Sequence, residues 1–239
     1  MRAFLLVAAS LLALAARAQS QPDVSVILRQ VGERYANAKQ YRFAVKKSGE
    51  ESGSLEIAIR KPDQFRLEAD GRVIDGADAF NRVTLVSDGG TAWNYFAESQ
   101  QYTRKRVTLP LLDTEPPAIS PDTFVLQADT VFLTRYAEFA KAADHARLLR
   151  QEIIAAGGGT ADCYVIEFQA PLPGFRDRYT WWVDKTRHLV VREDTQPASS
   201  RRPASSVIYT AASIDEPLPD DLFRFTPPPG AKQVDQLEP

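Results

Sequence analysis

The sequence predicts a mainly β protein of the α+β class. Three observations predict it: apolar residues alternate with polar ones over many short runs, turn residues punctuate those runs at hairpin intervals, and two stretches switch to a spacing of three and four.

Residues 23–39 place Val24, Ile27, Leu28, Val31 and Tyr35 on one stripe of a helix, with Asp23 as N-cap after Pro22. From Tyr41 the period becomes two: Tyr41, Phe43 and Val45, then Leu55, Ile57 and Ile59, then Phe65 and Leu67. Gly49 to Gly53, Pro62-Asp63, Asp70-Gly71, Asp75-Gly76 and Asp88-Gly89-Gly90 supply turns at intervals suited to an antiparallel meander. After Tyr102 the pattern breaks into a Pro-rich connection, Pro110 to Pro121. Helical spacing then returns over Asp129 to Ala143 through Phe132, Tyr136, Phe139 and Ala140. A second set of strands begins near Ala146, with Gly157-Gly158-Gly159 as a hairpin loop, and continues over 178–184, 189–193 and 207–212. Without a repeat or a convincing linker, residues 19–239 read as a single domain.

The chain opens with Met1-Arg2, an apolar run from Ala3 to Ala16, and the small-x-small pattern Ala16-Arg17-Ala18, which together predict a secretory signal over residues 1–18. The run is shorter than the roughly 20 residues a membrane-spanning helix needs, so a soluble periplasmic protein is expected. Position 19 is Gln rather than the cysteine that lipid attachment requires, and the single cysteine, Cys163, excludes an internal disulfide. Removing the signal takes two of the 29 basic residues, Arg2 and Arg17, and none of the 31 acidic ones, leaving a formal charge of about −4. That balance argues against nucleic-acid binding. The clusters Arg104-Lys105-Arg106 and Arg201-Arg202 read as solvated loop or strand-edge charges.

No catalytic pattern is present. His145 and His188 lack metal-ligand spacing and read as surface or strand-end residues. Cys163 reads as a small buried thiol, and neither a nucleophile elbow nor a phosphate loop occurs. Asp177, Asp184, Glu193 and Asp194 lie near a tryptophan-bearing strand, but nothing in the sequence pairs two of them across a pocket. A non-enzyme without metal or cofactor is expected.

Three passages, IRKPDQFRLE at 59–68, LVSDGGTAWNYF at 85–96 and LPDDLFRFTPPPGAKQVD at 218–235, together resemble the periplasmic lipoprotein carriers, the LolA-like family, and its outer-membrane lipoprotein-sorting relatives. The resemblance implies a strongly curved antiparallel sheet, an unclosed half-barrel, whose helices cover an apolar cavity. It also implies a carrier that shields the acyl chains of a lipoprotein or other lipid cargo between donor and acceptor membrane proteins, working as a monomer. The strand faces offer Phe43, Leu55, Ile57, Ile59, Phe65, Leu67, Trp93, Tyr95, Tyr164, Ile166, Phe168, Tyr179, Trp181 and Val183 as lining, a set that would equally describe a filled core. Trp93 and Tyr95 share a strand face and suit a pocket rim. Trp181 and Trp182 must point to opposite faces, with Trp181 the inner one. Phe132, Tyr136 and Phe139 form a candidate lid, against the alternative of a permanently docked helix. The family holds its lid with an arginine immediately before the corner proline. Here Lys61 occupies that place and Arg60 precedes it, so both are lid-holding candidates and the forked arginine contact does not carry over intact.

Two other readings remain: a lipid-sensing regulator like the RseB-type stress regulators, and a structural envelope protein. Such regulators carry a further C-terminal domain, whereas this sequence runs about ten residues past Pro229, which favours the carrier.

Overall fold

The structure, a computed structural model, describes residues 22–48, 53–71, 82–106, 135–169, 177–198 and 204–236. The expected signal segment 1–18, the turn at Asp75-Gly76, the connection Pro110 to Pro121, Phe132 and the pair Arg201-Arg202 lie outside the described residues.

Helix α1 (Val24–Ala36) starts as its sequence predicts, with the Asp23 carboxylate accepting the Ser25 N–H at 2.8 Å. Its stripe Ile27, Leu28, Val31 and Tyr35 is buried. Six strands follow: β1 (Gln40–Ser48), β2 (Gly53–Arg60), β3 (Gln64–Gly71), β4 (Arg82–Asp88), β5 (Thr91–Phe96) and β6 (Gln101–Arg106). Helix α2 (Arg135–Ala142) precedes β7 (Asp144–Ala156), β8 (Gly159–Gln169), β9 (Arg178–Asp184), β10 (Val190–Gln196) and β11 (Ser205–Ile214). A short 3-10 helix (Asp220–Phe223) and the two-residue β12 (Lys232–Gln233) end the described chain.

The strands form one sheet in the order β12-β6-β5-β4-β3-β2-β1-β11-β10-β9-β8-β7. It is two antiparallel meanders joined where β1 pairs with β11, and its end strands do not pair with each other, so the sheet is open rather than a closed barrel. Among the described strands only β12, beside β6, runs parallel to its neighbour. At the other end the sheet curls. The β7–β8 hairpin tip, with Gly157 and Gly158 at φ of +65° and +86°, reaches back to β11, where the Gly157 N–H donates to the Tyr209 carbonyl. The Arg187 guanidinium ties the same corner by donating to the carbonyls of Gly157 and Ala212.

The expected fold class is observed: mainly β, one large open antiparallel sheet, with α1 and α2 on one face. Local boundaries differ. Asp70-Gly71 closes β3 instead of making a turn, because Asp70 stands opposite Arg82 of β4. β6 continues beyond Tyr102 to Arg106, with Arg104, Lys105 and Arg106 exposed along it.

Candidate functional site

Cross-strand register assigns each side chain to a face. Phe43 stands opposite Ile57, Ile57 opposite Leu67 and Leu67 opposite Leu85, a row crossing β1 to β4. Flanking rows run through Tyr41, Ile59 and Phe65, and through Val45, Leu55, Ala69 and Val83. The ring of Phe43 stacks on Tyr35 of α1, 6.2 Å between centroids, so this is the face that the helices cover. Of the predicted lining, Phe43, Ile57, Ile59, Phe65 and Leu67 all sit here and are buried. Each such side chain contributes roughly 1.5–3 kcal/mol on leaving water.

In the second meander Ile166 opposes Trp181 and Phe168 opposes Tyr179, on the face that meets α2. Phe139 of α2 stacks on Trp181 with planes 9° apart and meets Tyr179 edge-on at 5.2 Å, while Tyr136 meets Trp181 edge-on at 5.2 Å. The two described members of the candidate lid are thus buried among the predicted lining. The Tyr136 hydroxyl is hydrogen-bonded to that of Tyr209, and the Trp181 indole N–H donates to the buried Glu193 carboxylate at 2.8 Å. Tyr35 accepts the Val190 N–H at 3.1 Å, and burial pushes its phenol well above the ordinary range. Tyr35 is legible only as part of the helix stripe and Glu193 only as a carboxylate near the tryptophan strand; Leu85 and Tyr209 follow from continuing the period-two count along β4 and β11.

Trp93 and Tyr95 are a correction. They share a face, as expected, but Trp93 opposes Val86 and Tyr95 opposes Thr84, the alternates of Leu85, so both rings point to the outer side of the sheet. There Phe225 covers them, with centroids 6.1 Å from Trp93, 6.2 Å from Tyr95 and 5.5 Å from Tyr102. The pair anchors the C-terminal segment and does not line the interior. Arg60 is corrected for the same reason of alternation: next to inward Ile59, it faces outward. It pairs with Asp220 at 2.8 Å, donates to the Leu218 carbonyl and covers the Phe223 ring at 4.9 Å. It grips the C-terminal segment rather than a helical lid, and Lys61 is an exposed turn residue on that corner. Trp182 lies on the outer face as expected, beneath the Arg192 guanidinium at 4.2 Å, its N–H donating to Glu152.

Between α1 and α2, Leu28, Gly32, Ala36, Ala140, Ala143 and Ala146 line a cleft of about 730 Å³ with Arg29, Glu33 and Lys141 also on its walls. A Cβ at Gly32 would stand 3.4 Å from that of Ala140, which shows how closely the helices approach.

Residues 25–237 match the family described as "Predicted periplasmic protein (DUF2092)". The chain belongs to that family. This DUF2092 chain is 24% identical over 220 residues to an uncharacterised protein of Methanocaldococcus jannaschii, a match covering 89% of the chain and 54% of that protein. The chain therefore spans about half the length of the curated relative it matches. Among solved structures it is similar to the Mycobacterium tuberculosis lipoprotein LppX (14% identity, 84% of this chain and 100% of that one, TM-score 0.49). It is also similar to LprF from Mycobacterium bovis (12%, 89% and 99%, TM-score 0.49) and to a chain of the Pseudomonas aeruginosa MucA/MucB complex (12%, 86% and 62%, TM-score 0.46). The fold assignment for the DUF2092 chain rests on its own strand order and register.

The remaining chemistry-bearing residues singled out in this DUF2092 chain have structural partners, except His188, whose buried Nδ1 has none among the described residues. Cys163 is buried, and burial pushes its thiol up to about 12. His145 is exposed beside Asp144, and His188 occupies the turn between β9 and β10. Asp177 accepts from the Ala198 N–H and Asp184 caps the turn at Thr186-Arg187. Asp194 pairs with Arg192, and Glu193 holds Trp181. Among the described residues no group of three His, Cys, Asp or Glu side chains could hold a metal, and no helix is long and apolar enough to cross a membrane.

Proposed function

We propose that this protein is a non-catalytic carrier of the periplasm, delivered by a cleaved leader over residues 1–18. It shelters the acyl chains of a lipoprotein or similar amphiphile between the inner face of its sheet and α1 and α2. Residues 19–239 act as one domain and a monomer, taking cargo from one membrane protein and passing it to another.

The observation that carries this reading is how α2 is attached. Over its described residues, Arg135–Ala142, it meets the sheet through the rings of Tyr136 and Phe139 laid on Phe168, Tyr179 and Trp181. Apart from the hydroxyl contact of Tyr136 with Tyr209, this attachment is burial of apolar ring surface, which a hydrocarbon chain can cover in place of the two rings. Each methylene leaving water contributes about 0.8 kcal/mol, so a long chain competes with the helix for the same surface. Cargo entry then displaces α2, and transfer is driven by affinity differences along the route.

The test is native mass spectrometry of mature protein purified from the periplasm, with organic extraction of anything bound, followed by titration of delipidated protein with a fluorescent fatty acid. A copurifying acylated species and saturable probe binding are expected. Clean protein that ignores the probe would return the inner face to an ordinary filled core. A stable complex with a membrane protein and no transfer of bound lipid would favour the sensing regulator instead.

A further inference from the structure

The inner face changes character along a single row. Phe43, Ile57, Leu67 and Leu85 continue in register into Asn94 of β5 and Thr103 of β6. All six are buried, Asn94 at 5% and Thr103 at 3% relative exposure. The neighbouring row, Val45, Leu55, Ala69, Val83 and Phe96, likewise ends on Gln101 of β6. Four strands of hydrocarbon surface thus lead to two strands that present an amide, a hydroxyl and a second amide on the same face.

Two of these polar groups stand unpaired among the described residues. The Thr103 hydroxyl and the Gln101 side-chain oxygen are both buried, with no hydrogen-bond partner among the described residues. Leaving such a group unmade carries a cost, and valine would fill the Thr103 position with the same shape, at least equal strand preference and no desolvated hydroxyl. Their spacing along β6 puts them two residues apart, roughly 6–7 Å on one face. Neither is charged. The pair therefore suits a small neutral group that offers hydrogen bonds at more than one point, such as the hydroxyls of a glyceryl head or the N–H and C=O of an amide.

We propose that the β5–β6 end of the inner face is a headgroup subsite. Thr103 and Gln101 hold the neutral hydroxyl- or amide-bearing junction of an acylated ligand, whose chain lies along the Phe43–Leu85 row. This rests on the carrier reading and sets its polarity: the head sits toward β6 and the hydrocarbon toward β1. It also confers selectivity, because bare hydrocarbon leaves both groups unpaired while a matching head satisfies them.

The test uses the delipidated mature chain and displacement of a fluorescent fatty acid by three probes with 16-carbon chains: monopalmitoylglycerol, palmitamide and n-hexadecane. Wild-type protein should prefer at least one polar-headed probe over hexadecane, and whether glycerol or amide is favoured identifies the source of the head. Thr103→Val should weaken the favoured probe by about five- to tenfold and leave hexadecane unchanged, the loss expected for one neutral hydrogen bond, and Thr103→Ser should restore it. Independently of any ligand, delipidated Thr103→Val should melt a few degrees above wild type, since it removes an unpaired hydroxyl. Unchanged affinity of Thr103→Val for the polar probes, or a lower melting temperature, would overturn the subsite. A wild-type protein that binds none of the three probes would overturn the carrier reading and the subsite with it, whereas equal binding of all three would remove only the subsite.

Discussion

The hydroxyl of Tyr136 on α2 and that of Tyr209 on β11 lie 2.5 Å apart inside the buried ring cluster, a polar tie between the helix and the sheet it covers. Removing one hydroxyl strips the other of this bond in a site closed to water. Tyr209→Phe should therefore destabilise the protein by about 1–2 kcal/mol, while Tyr136→Phe with Tyr209→Phe should cost less than the two single changes added together. If α2 is the element that yields to cargo, Tyr209→Phe should also speed uptake of a fluorescent fatty acid in stopped flow. Additive single costs would mean the two hydroxyls are not energetically coupled, and unchanged uptake would mean α2 does not gate entry.

Phe225 sits over Trp93, Tyr95 and Tyr102 on the outer face, and Arg60 holds the chain just before it. Phe225→Ala should uncover Trp93 and shift its emission to the red, a change absent in a Trp93→Phe background. Because Phe225 is only partly buried, the loss of stability should be about 1–3 kcal/mol, below the 3–5 of a fully enclosed phenylalanine. An unmoved emission maximum would show that the C-terminal segment does not rest on this face in solution.

What the sequence revealed, and what it hid, follows from the range of the forces involved. α1 was legible because Asp23 and the stripe Ile27, Leu28, Val31 and Tyr35 are local signals. The inward faces of β1 to β3 were legible because only one set of alternates there carries large apolar side chains. β5 carries aromatics on both faces, Trp93 and Tyr95 on one and Phe96 on the other, so alternation alone could not orient it. The Asp88-Gly89-Gly90 turn decides the matter. The Asp88 carboxylate accepts from the N–H groups of Gly90 and Thr91 and so sets Val86 opposite Trp93. Phe225, which completes the choice, lies far along the chain in a stretch without periodicity. Arg60 follows inward Ile59 on β2, so alternation alone turns it outward toward the C-terminal segment. Asn94 and Thr103 are not legible in the sequence because their place is set by which rows they terminate, a property of register.

Cys163 stands on β8 with no solvent exposure, and its thiol is pushed up to about 12 by burial, with the nearby carboxylates of Asp184 and Asp162 adding to the effect. The thiolate fraction at pH 8 is then on the order of one in ten thousand. In native protein Cys163 should resist a disulfide exchange reagent at pH 8 over hours and react promptly in denaturant. Rapid native labelling would show that the β7–β8 hairpin opens readily or that the thiol is not enclosed.

Asp184 closes β9, and its carboxylate accepts the Thr186 N–H at 2.9 Å, the Arg187 N–H at 2.8 Å and the Arg187 guanidinium at 2.8 Å. Burial alone would raise its pKa. The hydrogen bonds from Arg187 and Thr186, with the guanidinium charge, outweigh that and hold it below the ordinary carboxylate value of 3.8. A carboxyl whose folded pKa is depressed binds protons more weakly in the folded than in the unfolded chain. Its contribution to stability is therefore complete above the unfolded value and is lost as pH falls through about 4 toward the folded one. Asp184→Asn should thus cost about 1–3 kcal/mol at pH 7, measured as a lower urea midpoint, because Arg187 loses its partner at the corner that also holds the carbonyls of Gly157 and Ala212. The same comparison at pH 3 should show the gap narrowing, since below about 4 the unfolded chain's carboxyl binds a proton and the wild-type advantage is being lost. A gap that stayed constant from pH 7 to pH 3 would mean that the charge of Asp184 adds nothing to this corner beyond the shape of its side chain.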